Sequence, residues 1–184
     1  MVQGKRIYLE KLDPDHLSDE YVAWMRDPEV LRYLSTSPAS CSIDKLKEFV
    51  VAMNTSGRDY LWGIYLKDSH RHIGNIKIGN VHSIHQFGDL GLIIGVKALW
   101  GQGYATEVIK VATQYAFDQM KLRKVIAGIF APNQASYRAF LKAGYREVGR
   151  YAKHCLFEGR FVDKILFEKC ADGALPENRG EKLR

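Results

Sequence analysis

Residues 88–130 constrain the fold more than any other stretch. They read GDLGLIIGV, then KALWGQG, then YATEVIKVATQYAFDQ, and after a short turn KVIAGIF. The first and last runs are apolar enough for buried strands. Between them Tyr104, Val108, Val111, Ala112 and Tyr115 recur at helical spacing. Strand, helix and strand in that order form a right-handed crossover, which makes the sheet locally parallel. Gly101 and Gly103 stand at the mouth of the helix. A helix N-terminus offers unpaired N–H groups and the positive end of a dipole, and glycines let a phosphate reach the backbone. The N–H groups from Gln102 to Thr106 are therefore candidates to wrap a pyrophosphate; a tight turn needing positive φ would use the same glycines. Spacing excludes two other phosphate loops. No GxxxxGK[ST] is present, and Thr106 stands where a dinucleotide-binding GxGxxG needs its third glycine.

The rest of the chain supplies strands and helices around this unit. Ile7 to Leu12 reads as a strand. Asp13-Pro14 and Asp27-Pro28 each place an N-cap before a first-turn proline, opening two short helices, with Leu17, Tyr21 and Trp24 on one face of the first. After the polar loop STSPAS, Ser42 caps a longer helix carrying Leu46, Phe49, Val50 and Met53 on one side. YLWGIYL (60–66), HIGNIKIGNV (72–81) and residues 88–96 form an antiparallel meander. Asn133 caps a helix closed by Gly144, and strands at about 145–157 and 160–168 pair across Glu158-Gly159. The expected fold is α/β (mixed α+β): a central mixed, largely antiparallel sheet with helices on both faces. Residues 1–169 read as one domain and 170–184 as a disordered basic tail.

Charge and cysteines narrow the setting. Residues 121–184 hold 14 Lys/Arg against 7 Asp/Glu, while residues 1–120 hold 13 against 14, so the basic excess lies in the last third. That suits a solvated surface or a polyanion, either nucleic acid or a multiply phosphorylated small molecule. Aromatic–basic interleaving is too sparse for a nucleic-acid binder. No apolar run approaches the ~20 residues that span a bilayer. The charged, alternating N-terminus reads as a strand and not a signal peptide. Cys41, Cys155 and Cys170 are odd in number and lack a CxxC, which favours a reducing cytoplasm. "HRH" at 70–72 and "HSIH" at 82–85 lack the companions of a familiar ligand spacing, so no metal site is expected.

LIIGVKALWGQGYATEVIKVA followed by NQASYRAFLKAGY resembles the GNAT superfamily of acyl-CoA-dependent N-acetyltransferases, over about residues 5–168. The WGxGYAxE form and the segment YVAWMRDPEVLRYL are similar to its RimJ/RimL-like branch. The resemblance implies a GNAT fold with a splayed strand pair at the acetyl-CoA site. It places Gly101, Gln102, Gly103, Tyr104, Ala105 and Thr106 on the CoA pyrophosphate and Leu92, Ile93, Ile94 and Gly95 beside the pantetheine arm. Asn133 and Ser136 fall near the arm and thioester, with Phe140 on the same helix. Two positions depart from the family pattern. Ala98 replaces a frequent Gln or Arg, and Phe140 stands where many members carry a tyrosine acting as general acid.

Acetyl transfer to an amine requires a neutral amine, a donor for the oxyanion and a proton for the departing thiolate. The candidates are Asp89 as base, with His85 and His154 as runners-up; a backbone N–H near Ile93 or Ile94 for the oxyanion; and Ser136 for the thiolate. Ser136 serves equally as a first-turn serine bonding backbone or cofactor. Glu107 reads as a carboxylate favoured by the helix dipole. Arg138, Lys142 or Arg146 would meet the 3′-phosphate. The expectation is a cytoplasmic N-acetyltransferase, monomer or homodimer, using acetyl-CoA and an amine acceptor by direct attack, with no nucleic-acid or membrane partner. A small amine such as an aminosugar is favoured over a protein N-terminus, on Lys153, His154, Arg160 and Asp163 of the final hairpin. A non-catalytic CoA-binding module is the alternative of another class.

Overall fold

The computed structural model describes residues 1–34 and 42–172. The STSPAS loop, Cys41 and the chain from residue 173 lie outside the described residues. Among those described, the elements are β1 (Val2–Gln3), β2 (Ile7–Lys11), α1 (Asp19–Trp24), α2 (Pro28–Leu31), α3 (Ile43–Thr55), β3 (Tyr60–Leu66), β4 (His72–His82), β5 (Phe87–Ile94), α4 (Tyr104–Asp118), β6 (Lys124–Phe130), α5 (Gln134–Lys142), β7 (Arg146–Phe157) and β8 (Arg160–Cys170). They build one sheet in the order β1-β2-β3-β4-β5-β6-β8-β7. Every pairing is antiparallel except β5 with β6.

Local chemistry accounts for the element ends. The side chains of Asp13, Ser18, Asp27, Ser42 and Asn133 each accept a backbone N–H at the start of a helical turn. Gly144 ends α5 at φ +87°. Trp62 of β3 meets Tyr115 of α4, and Phe140 of α5 stacks on Phe167 of β8, so α4 and α5 cover one face. Tyr65, on the other face of β3, stacks on His72 beneath Trp24 of α1. The core between the layers is aliphatic, with Ile64, Ile73, Ile76, Ile78, Val108 and Ile109 fully buried.

Four details depart from the sequence reading. A short edge strand, β1, precedes β2 and turns through Gly4, whose N–H donates to the Ile7 carbonyl. Phe49 of α3 is 40% exposed, because the helix settles on Leu46 and Val50, with Met53 half-buried beside them. The buried face of α4 is Val108, Ile109, Ala112, Thr113 and Ala116, rotated so that Tyr104, Val111 and Tyr115 lie half-buried at its edge. Thr113 is tolerated inside because its hydroxyl bonds that of Tyr145 at 2.7 Å. β8 runs on to Cys170, one residue into the stretch read as tail.

Candidate active site

The parallel pair β5–β6 is hydrogen-bonded over three rungs, Phe87–Lys124, Gly88–Val125 and Asp89–Ile126. Beyond them both strands continue, to Ile94 and Phe130, without pairing to each other. The splay opens a cleft of about 440 Å³. Its walls are Leu90 to Ile94 on β5 and Gly128 to Phe130 on β6. The glycine loop with the first turn of α4 and the first turns of α5 complete it. The Gly95 N–H bonds the Ile73 carbonyl on the β4 side. Alternation along the strand therefore turns the N–H groups of Ile94 and Leu92 toward the open side. The Trp100 indole N–H donates to the Ile94 carbonyl at 2.7 Å and so ties the loop to the strand end.

Gly103 is the N-cap of α4 at φ +82°, and Gly101 lies at φ +76°. Both therefore occupy the left-handed region that glycine adopts without strain. A side chain at Gly101 would meet open space, so conformation and access, not packing, account for these glycines. Among the described residues, no N–H from Gly103 to Thr106 donates to a protein carbonyl. That row of free donors at a helix start fits a pyrophosphate.

The structure brings most of the expected site residues together. Leu92, Ile93, Ile94, Gly101, Gly103, Tyr104, Ala105, Thr106, Asn133, Ser136 and Phe140 all line the cleft, as do Arg138 and Lys142. Ser136 is held by its N–H, which donates to the Asn133 side chain at 3.1 Å, leaving the hydroxyl at the cleft wall. Phe140 is buried against Phe167 and Tyr145.

Other expected residues stand apart from the cleft. Gln102 folds its amide back onto the Ala98 carbonyl. Gly95 has a packing role, since a Cβ there would land inside the Trp24 indole. Arg146 pairs with Glu168 at 2.6 Å on the final strands. Asp89 sits at the last paired rung, half-buried below the opening. Burial pushes its carboxyl up, with Lys164 and Lys77 pulling the other way. His85 lies in the turn before β5, its ring stacked on His82. His154 is exposed on β7 beside Tyr151. Lys153, Arg160 and Asp163 do not line the cleft either, and Asp163 accepts the Lys153 N–H.

Sequence reasoning missed the mouth. Arg32, Tyr33 and Glu29, from α2 and the residues after it, line the opening together with Phe130. Tyr33 stacks on Phe157 at 5.2 Å and meets Phe130 edge-on. Arg32 pairs with Glu158 in the β7–β8 turn, while Lys97 beyond β5 pairs with Asp27 and Glu29. The α2 segment is thus tied to the β7–β8 turn on one side and to the segment after β5 on the other. The signal was present in "RYL", one turn after the Asp-Pro cap, but a one-turn helix has no periodicity to rank its side chains.

A sequence model of the acetyltransferase (GNAT) domain matches residues 6–146. The chain belongs to the GNAT acetyltransferase family. It is an acyltransferase, and its acyl donor is acetyl-CoA. Curated relatives include the uncharacterized N-acetyltransferase YoaA of Bacillus subtilis (strain 168), 27% identical over 170 residues, which span 91% of this chain and 94% of YoaA. The uncharacterized N-acetyltransferase p20 of Bacillus licheniformis is 20% identical over 166 residues, 89% of this chain and 92% of that protein. Among solved structures, a spermidine N-acetyltransferase from Vibrio cholerae, in complex with CoA and spermine, superposes with a TM-score of 0.81 at 18% identity. The overlap covers 93% of this chain and 99% of that one. At that identity the likeness concerns the fold alone.

Proposed function

We propose that this GNAT enzyme, a single domain over residues 1–169, transfers the acetyl group of acetyl-CoA to a small primary amine by direct attack in a ternary complex. The observation that carries the reading is the β5–β6 pair, bonded over three rungs and then open beside a glycine loop with free N–H groups. The pyrophosphate lies on the N–H groups of Gly103 to Thr106, and the pantetheine arm runs along Leu92 to Ile94. Arg138 and Lys142 take the 3′-phosphate. The WGQGYATE and YVAWMRDPEVLRYL segments support a RimJ/RimL-like member.

The chemistry then follows the cleft. Neutralising a lysine-like amine at pH 7 costs about 4.6 kcal/mol, against about 1.1 kcal/mol for an α-amine. Asp89, below the opening, takes the amine proton through water. The Ile94 N–H, turned to the open side, holds the developing oxyanion. Ser136 protonates the leaving thiolate, because the buried ring of Phe140 has no proton to give.

Size and chemistry of the mouth favour the small amine, with an aminosugar as its best representative. The α2 segment, tied on both sides, narrows the approach that a protein N-terminus would need. Tyr33 and Phe130 offer faces to ring C–H groups, and Arg32 and Glu29 offer partners to hydroxyls. A panel of sugar amines, polyamines and N-terminal peptides with purified protein tests this. Sugar amines should show kcat/KM at least about tenfold above peptides, a discrimination that one or two lost polar contacts supply. Efficient peptide acetylation with no sugar turnover would overturn the acceptor and leave the acetyltransferase standing.

A further inference from the structure

Outside the cleft walls, one charged cluster reaches the glycine loop from the far end of the chain. Arg6 immediately precedes β2, about a hundred residues before the loop. Its backbone N–H donates to the Glu107 carboxylate at 2.7 Å and its Nε to the other oxygen at 2.8 Å. Its Nη1 donates to the Gln102 carbonyl at 3.1 Å, and the guanidinium lies 4.0 Å from the Tyr104 ring centroid. One side chain therefore grips the loop at Gln102 and the first turn of α4 at Tyr104 and Glu107. Glu107 is the better sheltered partner, with its side chain 14% exposed against 39% for Arg6.

We infer that Arg6 is a positioning residue for the acyl donor: anchored on Glu107, it fixes the Gln102 carbonyl away from the phosphate site and so keeps the following N–H groups aimed at the pyrophosphate. The loop needs such a hold. With two glycines around Gln102 its peptide planes turn at low cost, and a carbonyl facing a phosphate would repel it. Glu107 depends on Arg6 in turn. Burial alone would raise the Glu107 carboxyl, but the bonds from Arg6 outweigh it and keep the group ionised. Without the Arg6 guanidinium, Glu107 would keep only the backbone N–H donors of residues 6 and 7, and its negative charge in the first turn, near an anionic ligand, would have no counter-charge. The planar fork is required for this grip; a lysine has the charge without the geometry.

The inference rests on the placement of the pyrophosphate at this loop, and donor truncation separates the two. CoA and S-acetyl-pantetheine, which lacks the pyrophosphate, are compared on the unmodified protein, Arg6→Ala, Arg6→Lys and Glu107→Gln. Arg6→Ala should weaken CoA binding by about tenfold or more, the scale of a lost charge-assisted hydrogen bond. KM for acetyl-pantetheine, KM for the amine and kcat at saturating donor should stay within about twofold, the scatter of a mutation remote from the lost contact. Arg6→Lys should recover part of the affinity, and Glu107→Gln should fall between it and Arg6→Ala. Equal losses for both donors, or unchanged CoA affinity in Arg6→Ala, would overturn the inference. Should Arg6→Ala fail to fold, Arg6→Lys and Glu107→Gln carry the same comparison. Failure of the site itself reads differently: the unmodified protein would then prefer CoA no more than acetyl-pantetheine.

Discussion

Gly103 carries two demands on one residue. Its φ of +82° excludes a β-branched side chain without strain, and its N–H heads the row of free donors at the start of α4. Gly103→Val should therefore remove the rise in Tm that acetyl-CoA gives the unmodified protein, a rise set by RT ln(1 + [L]/Kd). A full ligand-induced rise in the variant would place the phosphates elsewhere. Ser136 makes a separate demand. Its N–H is already used on Asn133, so only the hydroxyl is available to the cleft. Ser136→Ala should lower kcat by about tenfold or more, the lower range for a positioned acid, with CoA affinity changed less. An unchanged kcat in Ser136→Ala, with Phe140→Tyr equally silent, would remove leaving-group protonation from α5.

At the scale of elements, β5 is the member on which the site depends, and its C-terminal end is braced. Trp24 of α1 packs against Gly95, just past the strand, and its ring centroid lies 5.0 Å from that of His72. The His72 Nε2–H donates to the Asn75 side-chain oxygen and the Gly74 carbonyl, while Nδ1 accepts from Ser18. Burial lowers the His72 pKa, and the bonds to Asn75 and Gly74 oppose this without cancelling it. The folded state therefore holds His72 neutral where the unfolded chain, near 6.5, takes up a proton. Stability from this group is complete above pH about 6.5 and is lost as pH falls through the folded value. Tm of the unmodified protein should fall between pH 7.5 and 5.5 more than that of His72→Gln; identical slopes would contradict this. The strand–glycine–helix–strand unit, the capping residues and most of the cleft wall were legible in the sequence, because period, cap chemistry and glycine placement are local. Gly95 as the seat of Trp24, the rotation of α4 and the exposure of Phe49 were not. Each is decided by which neighbour packs on a shared surface, and those neighbours are far away in sequence.

Across the whole molecule, the sheet brings three distant segments to one opening. β5 and β6 part to make it, α2 ties over it through Lys97 and Arg32, and Arg6 reaches from β2 to grip the loop that borders it. No helix among the described residues is long and apolar enough to cross a membrane. The basic excess of the last third divides accordingly. Arg138 and Lys142 face the cleft, whereas Arg146 and Lys124 are spent on Glu168. Composition could locate the charge but not sort it, since pairing is a property of the folded sheet. The most direct test of the account is a crystal structure of the acetyl-CoA complex. It should show pyrophosphate oxygens about 3 Å from the N–H groups of Gly103 to Thr106, with the thioester carbonyl oxygen on the Ile94 N–H and the Ser136 hydroxyl beside the sulfur. A pyrophosphate bound away from the glycine loop, or a thioester outside the β5–β6 opening, would contradict it.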